Sequence, residues 1–596
     1  MLMSLAMRVS KTDVRPRRLG TIWYQMIVTV IGLIYLTAHH PSEAAPLGDG
    51  NSDTFVDATE ESRIQFVHNS PFTPDRHTHL AFGSGIGWID FDSDDLPDLY
   101  AAQGVPFEPK RSSAGPESVS DCLYRNLGNG RFRDISNVCG LNDNDYSMGL
   151  AVGDFDNDGF QDIHVTNFGL NRLLGNNGDG TFTEIAAASG VADAGFGASC
   201  TWADLDDDGS LDLFVVNYVK LDSDNYELCT IEHNGGRYGI TCHPRSLLPT
   251  RDVLFRSHGD GRFSDGTERA GMPQSPAAQG LGVVAADLDA DGDIDVYVAN
   301  DSVANDLWMN QGNGQLSNEA MSSGTAFNRA GQREAGMGVV VGDVDGDGLP
   351  DLFVTNYYGE TNTLYRNEAA GFFLDVTDEF GLGSSSRLKL GFGTSLFDFD
   401  NDGWLDLFVA NGHVHDRPEI LGENETFAQR PQLFQNQGGR RFTEVSDSAG
   451  PYFQRHVVGR SCAVADYDRD GWQDLAIGHL NSSLVLLHNE ARDPRMKSLR
   501  IQLIGVRSNR NAIGAVVDVR IGEQRLTRFR TGSSGYLSCD EGCLTIGVGT
   551  SETPADVTIR WPGGESQTFR SLHSGRRHVL IEGRQALQLA DDDRFP

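Results

Sequence analysis

The chain has 596 residues, with 84 Asp and Glu against 48 Lys and Arg and a net charge of −36. That balance argues against a nucleic-acid partner, because a phosphate backbone selects Lys/Arg surfaces and repels this one. Charged residues are 22% and hydrophobic ones 39% of the chain, too apolar for a disordered acidic segment, while 69 glycines point to many tight turns between short strands.

In chain order, a targeting segment comes first. Arg15, Arg17 and Arg18 precede the apolar run Leu19–Ala38, the pattern of an export signal and one just long enough to span a bilayer. Small residues around Ser42–Ala45 offer a cleavage point, so residues 1–45 read as a signal peptide in preference to an N-terminal membrane anchor. With either outcome the arginines hold the N-terminal side in. The remainder is then extracytoplasmic (secreted, periplasmic or at the cell surface), and a retained anchor is its one expected membrane contact. Eight cysteines suit that compartment. Proximity suggests pairs Cys122–Cys139, Cys229–Cys242 and Cys539–Cys543, and the count leaves other connectivities open. Cys200 and Cys462, each four residues before an Asp of the repeat described next, are expected as small buried residues.

One nine-residue pattern, Asp-x-Asp-x-Asp-Gly-x-x-Asp, recurs seven times. Its acidic positions are Asp90, Asp92, Asp94 and Asp98; Asp154, Asp156, Asp158 and Asp162; Asp204, Asp206, Asp208 and Asp212; and Asp287, Asp289, Asp291 and Asp295. The last three copies hold Asp343, Asp345, Asp347 and Asp351; Asp398, Asp400, Asp402 and Asp406; and Asp466, Asp468, Asp470 and Asp474. Apolar runs flank each copy, giving strand, tight loop and strand. Most repeats then show a hairpin signature such as LYRNLGNGRFRDIS or LFQNQGGRRFTEVS. About four antiparallel strands per repeat predict an all-β fold, a seven-bladed β-propeller over residues 46–492. The longest insertions are Ala102–Asp121, Val219–Thr250 and Gly412–Arg430. The seventh unit is one strand short, and TFVDAT at Thr54–Thr59 is expected to complete it beside Ser483–His488.

Four Asp at alternate places in a tight loop fit Ca²⁺, a hard cation that takes six to eight oxygens. The short side chains turn inward, position 7 can lend a carbonyl and position 9 can chelate with both oxygens. Gly at position 6 supplies the positive φ. Mg²⁺ fits less well, since it demands strict octahedral geometry. About seven structural Ca²⁺ sites are therefore expected. The first should form but bind more weakly, because Asp95 stands where the others have Gly. Sevenfold repetition argues against a catalytic role for these carboxylates. The pairs His77/His79 and His413/His415 have a spacing open to a transition metal, but loop packing is the favoured reading. Trp88, Trp404 and Trp472, beside the loops, read as packing between blades rather than a sugar-stacking stripe.

These repeats resemble the FG-GAP family and its VCBS relatives, the calcium-binding blades also seen in integrin α-subunits. Residues 499–582 resemble the ASPIC/UnbV domain through NAIGA at Asn511–Ala515, GSSGYLS at Gly532–Ser538, LTIGVG at Leu544–Gly549 and RWPGG at Arg560–Gly564, followed by a tail, 583–596. The combination resembles the bacterial relatives of cartilage acidic protein. The resemblance implies an exported calcium-binding recognition or adhesion protein whose propeller loops bind an extracellular or envelope ligand, glycan or protein, with no catalytic activity to carry over. The alternatives are a polysaccharide-active enzyme with a site on the inserted loops, or an accessory protein acting through the C-terminal domain.

Overall fold

The computed structural model describes residues 54–106, 120–141, 145–220, 228–369, 371–491, 493–585 and 587–589. The predicted targeting segment and tail end lie outside them. All described residues belong to one compact unit.

Seven four-stranded antiparallel groups are present among the described residues. The first is Ile86–Ile89, Asp98–Ala101, Cys122–Asn126 and Phe132–Asp134; the sixth is Gly391–Phe397, Asp406–Asn411, Gln432–Asn436 and Phe442–Glu444. The innermost strands touch their neighbours in chain order, and Gly459–Ala465 of the seventh group returns to Ile86–Ile89 of the first, so the ring closes. Such close approach of inner strands needs residues without a side chain. A Cβ on Gly149 would lie 2.9 Å from the Ala198 carbonyl oxygen, and one on Gly338 would strike that of Phe392.

Closure uses the N-terminal strand as predicted. Phe55–Asp57 pairs antiparallel with Val485–Asn489, Phe55 opposite Asn489. Phe55 is fully buried, with ring centroids 6.0–6.4 Å from Phe397, Phe399 and Phe453. A second device links blades. Most third strands carry, at or near their end, an Asn whose Nδ2 donates to a loop carbonyl of the preceding blade: Asn176 to Phe91 (2.8 Å), Asn310 to Leu205 (2.9 Å), Asn367 to Leu288 (2.8 Å), Asn436 to Val344 (2.9 Å) and Asn489 to Phe399 (2.8 Å). Asn126 donates to Tyr467 O at 2.8 Å, carrying the clasp across the closure from the first blade to the seventh. Ser257 holds this place in the third blade.

The C-terminal part packs two four-stranded sheets face to face. One orders Leu544–Gly549, Lys497–Ile504, Arg577–Ile581 and Leu587–Leu589; the other Gln524–Phe529, Val516–Ile521, Ala555–Arg560 and Ser566–Leu572. Leu499, Ile501, Val517, Val519, Ile546, Val557, Ile559 and Trp561 fill the core between them. Leu587–Leu589, placed in the tail by the sequence reading, is thus its last strand.

The loop after Gln524–Phe529 leaves this sandwich and enters the propeller. Ser538–Cys539 pairs in parallel with Ile86–Gly87, and Gly535 bridges to Val339. Tyr536 and Leu537, 0% and 1% exposed, join Met148, Phe196, Leu281, Met337 and Phe392 in one apolar cluster at the axis. Arg460 is buried beside them. It donates to the carbonyls of Ala81, Gly412, Gly459 and His413, and its guanidinium lies 4.1 Å above the Phe392 ring. Burial pulls its pKa down to about 10. The axis of the ring is filled with side chains.

The cysteines divide. Cys229 and Cys242 are bonded, whereas Cys122, Cys139, Cys539 and Cys543 are free thiols, against the pairings suggested by proximity. Cys539 packs among Ile89, Leu150 and Val152 in the core between the first two blades, while Cys543 feels Glu541, Arg469 and Arg577, so the two point into different surroundings. Cys200 and Cys462 are buried, 1% and 0% exposed, as expected.

Candidate metal centres

Each acidic loop joins the first strand of a blade to the second. Adjacent strands run antiparallel, so all seven loops emerge on one face and the second-to-third connections on the other. Within a loop, the main chain is folded onto its own carboxylates. One oxygen of the first Asp accepts the N–H of residue 6, as from Gly159 to Asp154 (2.9 Å), Gly209 to Asp204 (2.9 Å), Gly403 to Asp398 (2.8 Å) and Gly471 to Asp466 (3.0 Å). The fifth position accepts the N–H of residue 7, as from Phe160 to Asp158 and Trp404 to Asp402, both 2.8 Å.

The ninth Asp does more than the sequence suggested. One oxygen accepts the N–H of position 2 and the other the N–H closing the third strand. For Asp98 the donors are Phe91 (3.3 Å) and Asn126 (2.7 Å), for Asp295 Leu288 (2.9 Å) and Asn310 (2.7 Å), and for Asp406 Phe399 (3.1 Å) and Asn436 (2.8 Å). It is a tie between strands as well as a candidate ligand. Position 6 takes positive φ in every loop, from 87° at Gly209 to 106° at Gly292, and Asp95 adopts 70°. Position 4 does so too, at Ser93, Asn157, Asp207, Ala290, Gly346, Asn401 and Arg469, between 57° and 79°.

One carboxylate oxygen each from Asp90, Asp92 and Asp98 lie within 4.8 Å of one another, as do those of Asp154, Asp156 and Asp162, of Asp204, Asp206 and Asp208, and of Asp287, Asp289 and Asp291. Burial first, and neighbouring carboxylates after it, push Asp90 and Asp402 up to about 7. Asp98, Asp351 and Asp406 are held well above the carboxylate range, with burial the leading cause. Crowded buried carboxylates of this kind call for a cation. A sharper sign is that Asp154, Asp287 and Asp466 each keep one buried oxygen without a hydrogen-bond partner. Charged acceptors with nothing to accept from suit a hard cation, so the donor set fits Ca²⁺.

In the seventh blade, His488 joins Asp468 and Asp470 within the same 4.8 Å. Sequence reasoning missed it. The signal was its place in LLHN, where the other repeats read LYRN, LLGN, LFRS, LWMN and LFQN. The histidine pairs singled out in the sequence meet mixed surroundings. His79 lies in the short turn Thr78–Ala81, stacked on Phe168 at 4.3 Å, and His413 faces Glu423 at 3.0 Å. Trp88 donates to Ala463 O at 3.2 Å, packing the first blade on the seventh.

The C-terminal domain covers this face. Asn511 Oδ1 accepts from Asp154 N (2.6 Å), Asn157 Oδ1 from Arg510 N (2.8 Å), Gly471 O from Ser498 Oγ (2.7 Å) and Gly403 O from Arg528 (3.0 Å). Asp95, the departure from the motif, turns its carboxylate to Arg577 at 2.5 Å. It therefore serves the domain contact.

The family profile for FG-GAP-like repeats matches residues 113–165, 154–215, 247–298, 287–354, 343–409 and 398–477, and that for ASPIC and UnbV matches residues 505–587. The chain is 30% identical over 368 residues to cartilage acidic protein 1 of Homo sapiens, covering 59% of this chain and 52% of that one. It is 25% identical over 344 residues to its Mus musculus counterpart, covering 57% and 49%. Integrin alpha-7 of Mus musculus is 36% identical over 98 residues, 16% of this chain and 8% of that one. The chain thus spans about half the length of the cartilage acidic proteins it matches. Its repeats, their order and the domain that follows place it in the FG-GAP-like repeat family, with an ASPIC and UnbV domain after the propeller.

Proposed function

We propose that this is an exported, calcium-stabilised recognition protein of the adhesion type, in which the ion is structural. The observation that carries the reading is the repeated carboxylate loop, with buried unpartnered oxygens, set between the propeller and its C-terminal domain. The first, third, fifth and ninth Asp of each copy, from Asp90 to Asp474, would hold the ions. A cation there relieves repulsion that burial makes severe, and it fixes the loops on which the second domain rests.

Recognition falls to the opposite face, which carries the connections between second and third strands that hold the insertions. The hairpin Cys229–His233 and Gly236–Ile240 is stapled by Cys229–Cys242. Arg417 lies 5.4 Å above the Tyr238 ring and donates to Gly239 O at 3.0 Å, while Arg76 pairs with Asp416 at 2.7 Å. Loops braced in this way form a fixed surface for an extracellular glycan or protein. The kinship with cartilage acidic protein 1 and integrin repeats supports an extracellular setting.

The test is thermal unfolding of the purified chain with calcium and with EDTA, alongside binding to a glycan and envelope-component panel. Chelation should lower the melting temperature by many degrees, reversibly, since an ion at 100 times its Kd adds about 2.7 kcal/mol per site. An unchanged melting curve would remove calcium from the account. Release of reducing ends or unsaturated sugars from any polysaccharide would replace recognition by catalysis.

A further inference from the structure

The seven loops carry the same motif, yet the residue just before the clasp position (Asn, or Ser257 in the third blade) of each third strand faces them differently. In the first, third and fifth blades it is arginine. Arg125 lies 2.5 Å from Asp92 and 3.3 Å from Asp94. Arg256 lies 2.6 Å from Asp212 and 3.8 Å from Asp206, whereas Arg366 lies 4.0 Å from Asp345 and gives its hydrogen bonds to Glu368. In the sixth blade Gln435 donates to Asp400 at 2.6 Å. In the second and fourth blades the place falls to Gly175 and Met309, which bring neither charge nor donor.

The first-position Asp sorts the loops the same way, although Asp92 Oδ1 at the third position of the first loop is also buried without a partner. In the four blades with a polar group at this place, Oδ1 of the first Asp accepts a loop N–H: Asp94 to Asp90 (3.0 Å), Asp208 to Asp204 (3.2 Å), Gly346 to Asp343 (2.8 Å) and Asp402 to Asp398 (3.0 Å). In the second and fourth blades Oδ1 of Asp154 and of Asp287, residues 1% and 6% exposed, has no partner. The arginines that the C-terminal domain brings there, Arg510 at 3.9 Å and Arg560 at 3.6 Å, meet the other oxygen. Blade seven combines an unpartnered Asp466 oxygen with the imidazole of His488, so it belongs to neither group.

We infer that this third-strand residue sets the order in which the loops take calcium: the second and fourth blades bind first and tightest, and the arginines of the first and third act as resident cations that calcium must displace. The inference rests on the calcium reading above. A guanidinium on a carboxylate makes a charge-assisted bond that is lost when the ion enters. Where it also takes an oxygen that the ion needs, each guarded loop should bind about tenfold more weakly than an open one, or weaker still.

The test is calorimetric titration of chelator-stripped full chain with calcium at fixed ionic strength. Two classes of site are expected. Arg125→Met should move one site into the tight class, and Gly175→Arg should move one out. Arg125→Met is the safer variant, because that side chain is 39% exposed, and far-UV circular dichroism in EDTA checks that each variant folds. Seven equivalent sites in the parent, or a tight class unchanged by Arg125→Met, would overturn the ordering while leaving calcium binding intact. No calcium heat at all would instead overturn the calcium reading.

Discussion

Replacing Phe55 by alanine tests whether the N-terminal strand holds the ring shut. The side chain is fully buried and sits among three aromatic rings at 6.0–6.4 Å. Truncating a buried Phe costs about 3–5 kcal/mol through lost transfer energy and the cavity left behind. Three aromatic contacts, each about 0.5–1.5 kcal/mol beyond area, place this site in the upper half of that range. The backbone pairing to Val485–Asn489 is unchanged by the substitution, so the loss reports on packing at the closure. Val56, next along the strand and 43% exposed, supplies the control: Val56→Ala should stay within about 0.5 kcal/mol. Urea unfolding in saturating calcium, followed by tryptophan fluorescence, is a suitable assay, because Trp88 sits at the seam between the first and seventh blades. A cost below about 1 kcal/mol for Phe55→Ala, or one equal to that of Val56→Ala, would refute the role given to this strand.

Asn436→Ala removes a buried clasp that donates to Val344 O and Leu405 O, so it should cost about 2–4 kcal/mol in the same assay; a neutral result would mean the clasp is incidental. His479 is kept neutral by burial, between Tyr452 Oη at 2.8 Å and Ser483 O at 2.7 Å, and its pKa is pulled down to about 4. A base depressed in the folded state lends stability above its unfolded pKa of about 6.5 and loses it as pH falls toward 4, at up to about 1.4 kcal/mol per pH unit. His479→Gln should therefore flatten the acid side of the stability profile between those values, and an unchanged slope would contradict the assignment. Gly535→Ala should loosen the C-terminal domain, because φ is +61° there and a Cβ would strike the Thr394 carbonyl. Faster tryptic cleavage around Asp493–Met496 is the expected readout, and cleavage at the parent rate would show that the loop tolerates the change.

The repeat made the propeller legible, because a strand–loop–strand unit copied seven times leaves few folds that can bury each copy. Ring closure was legible too, as a missing strand at one end and a spare at the other. What each loop position does locally was only half visible. Gly at position 6 announced its positive φ, but position 4 takes the same conformation with Ser, Asn, Asp, Ala and Arg, which announce nothing. The clasp asparagines stood in plain sight in LYRN and LFQN, yet their partners lie in the preceding blade, 79 to 341 residues away in the cases of Asn367 and Asn126. Spacing of cysteines misled for a related reason. Cys539 and Cys543 are close in sequence, but the strand Ser538–Cys539 is pinned to the first blade and Cys543 belongs to the turn leaving it. Pairing depends on where the second domain docks, and nothing in local sequence says that.

The docking also changes what counts as a domain. Tyr536 and Leu537 belong by sequence to the C-terminal sandwich, but they are buried only in the propeller axis, against Met148, Leu281, Met337 and Phe392. Cut apart, the sandwich would expose a large aromatic loop and the ring would be left with an apolar hollow beside the buried Arg460, so each part supplies core to the other. The same sharing holds for charge. The first-position carboxylates face arginines of the second domain, Arg510 at Asp154, Arg560 at Asp287 and Arg500 at Asp466, at 3.6–3.9 Å. A cation held in the loop, as proposed above, and a guanidinium arriving from outside would neutralise the same groups from two sides. On that reading calcium and the C-terminal domain would share one electrostatic task, and the stabilisation each gives would depend on the presence of the other.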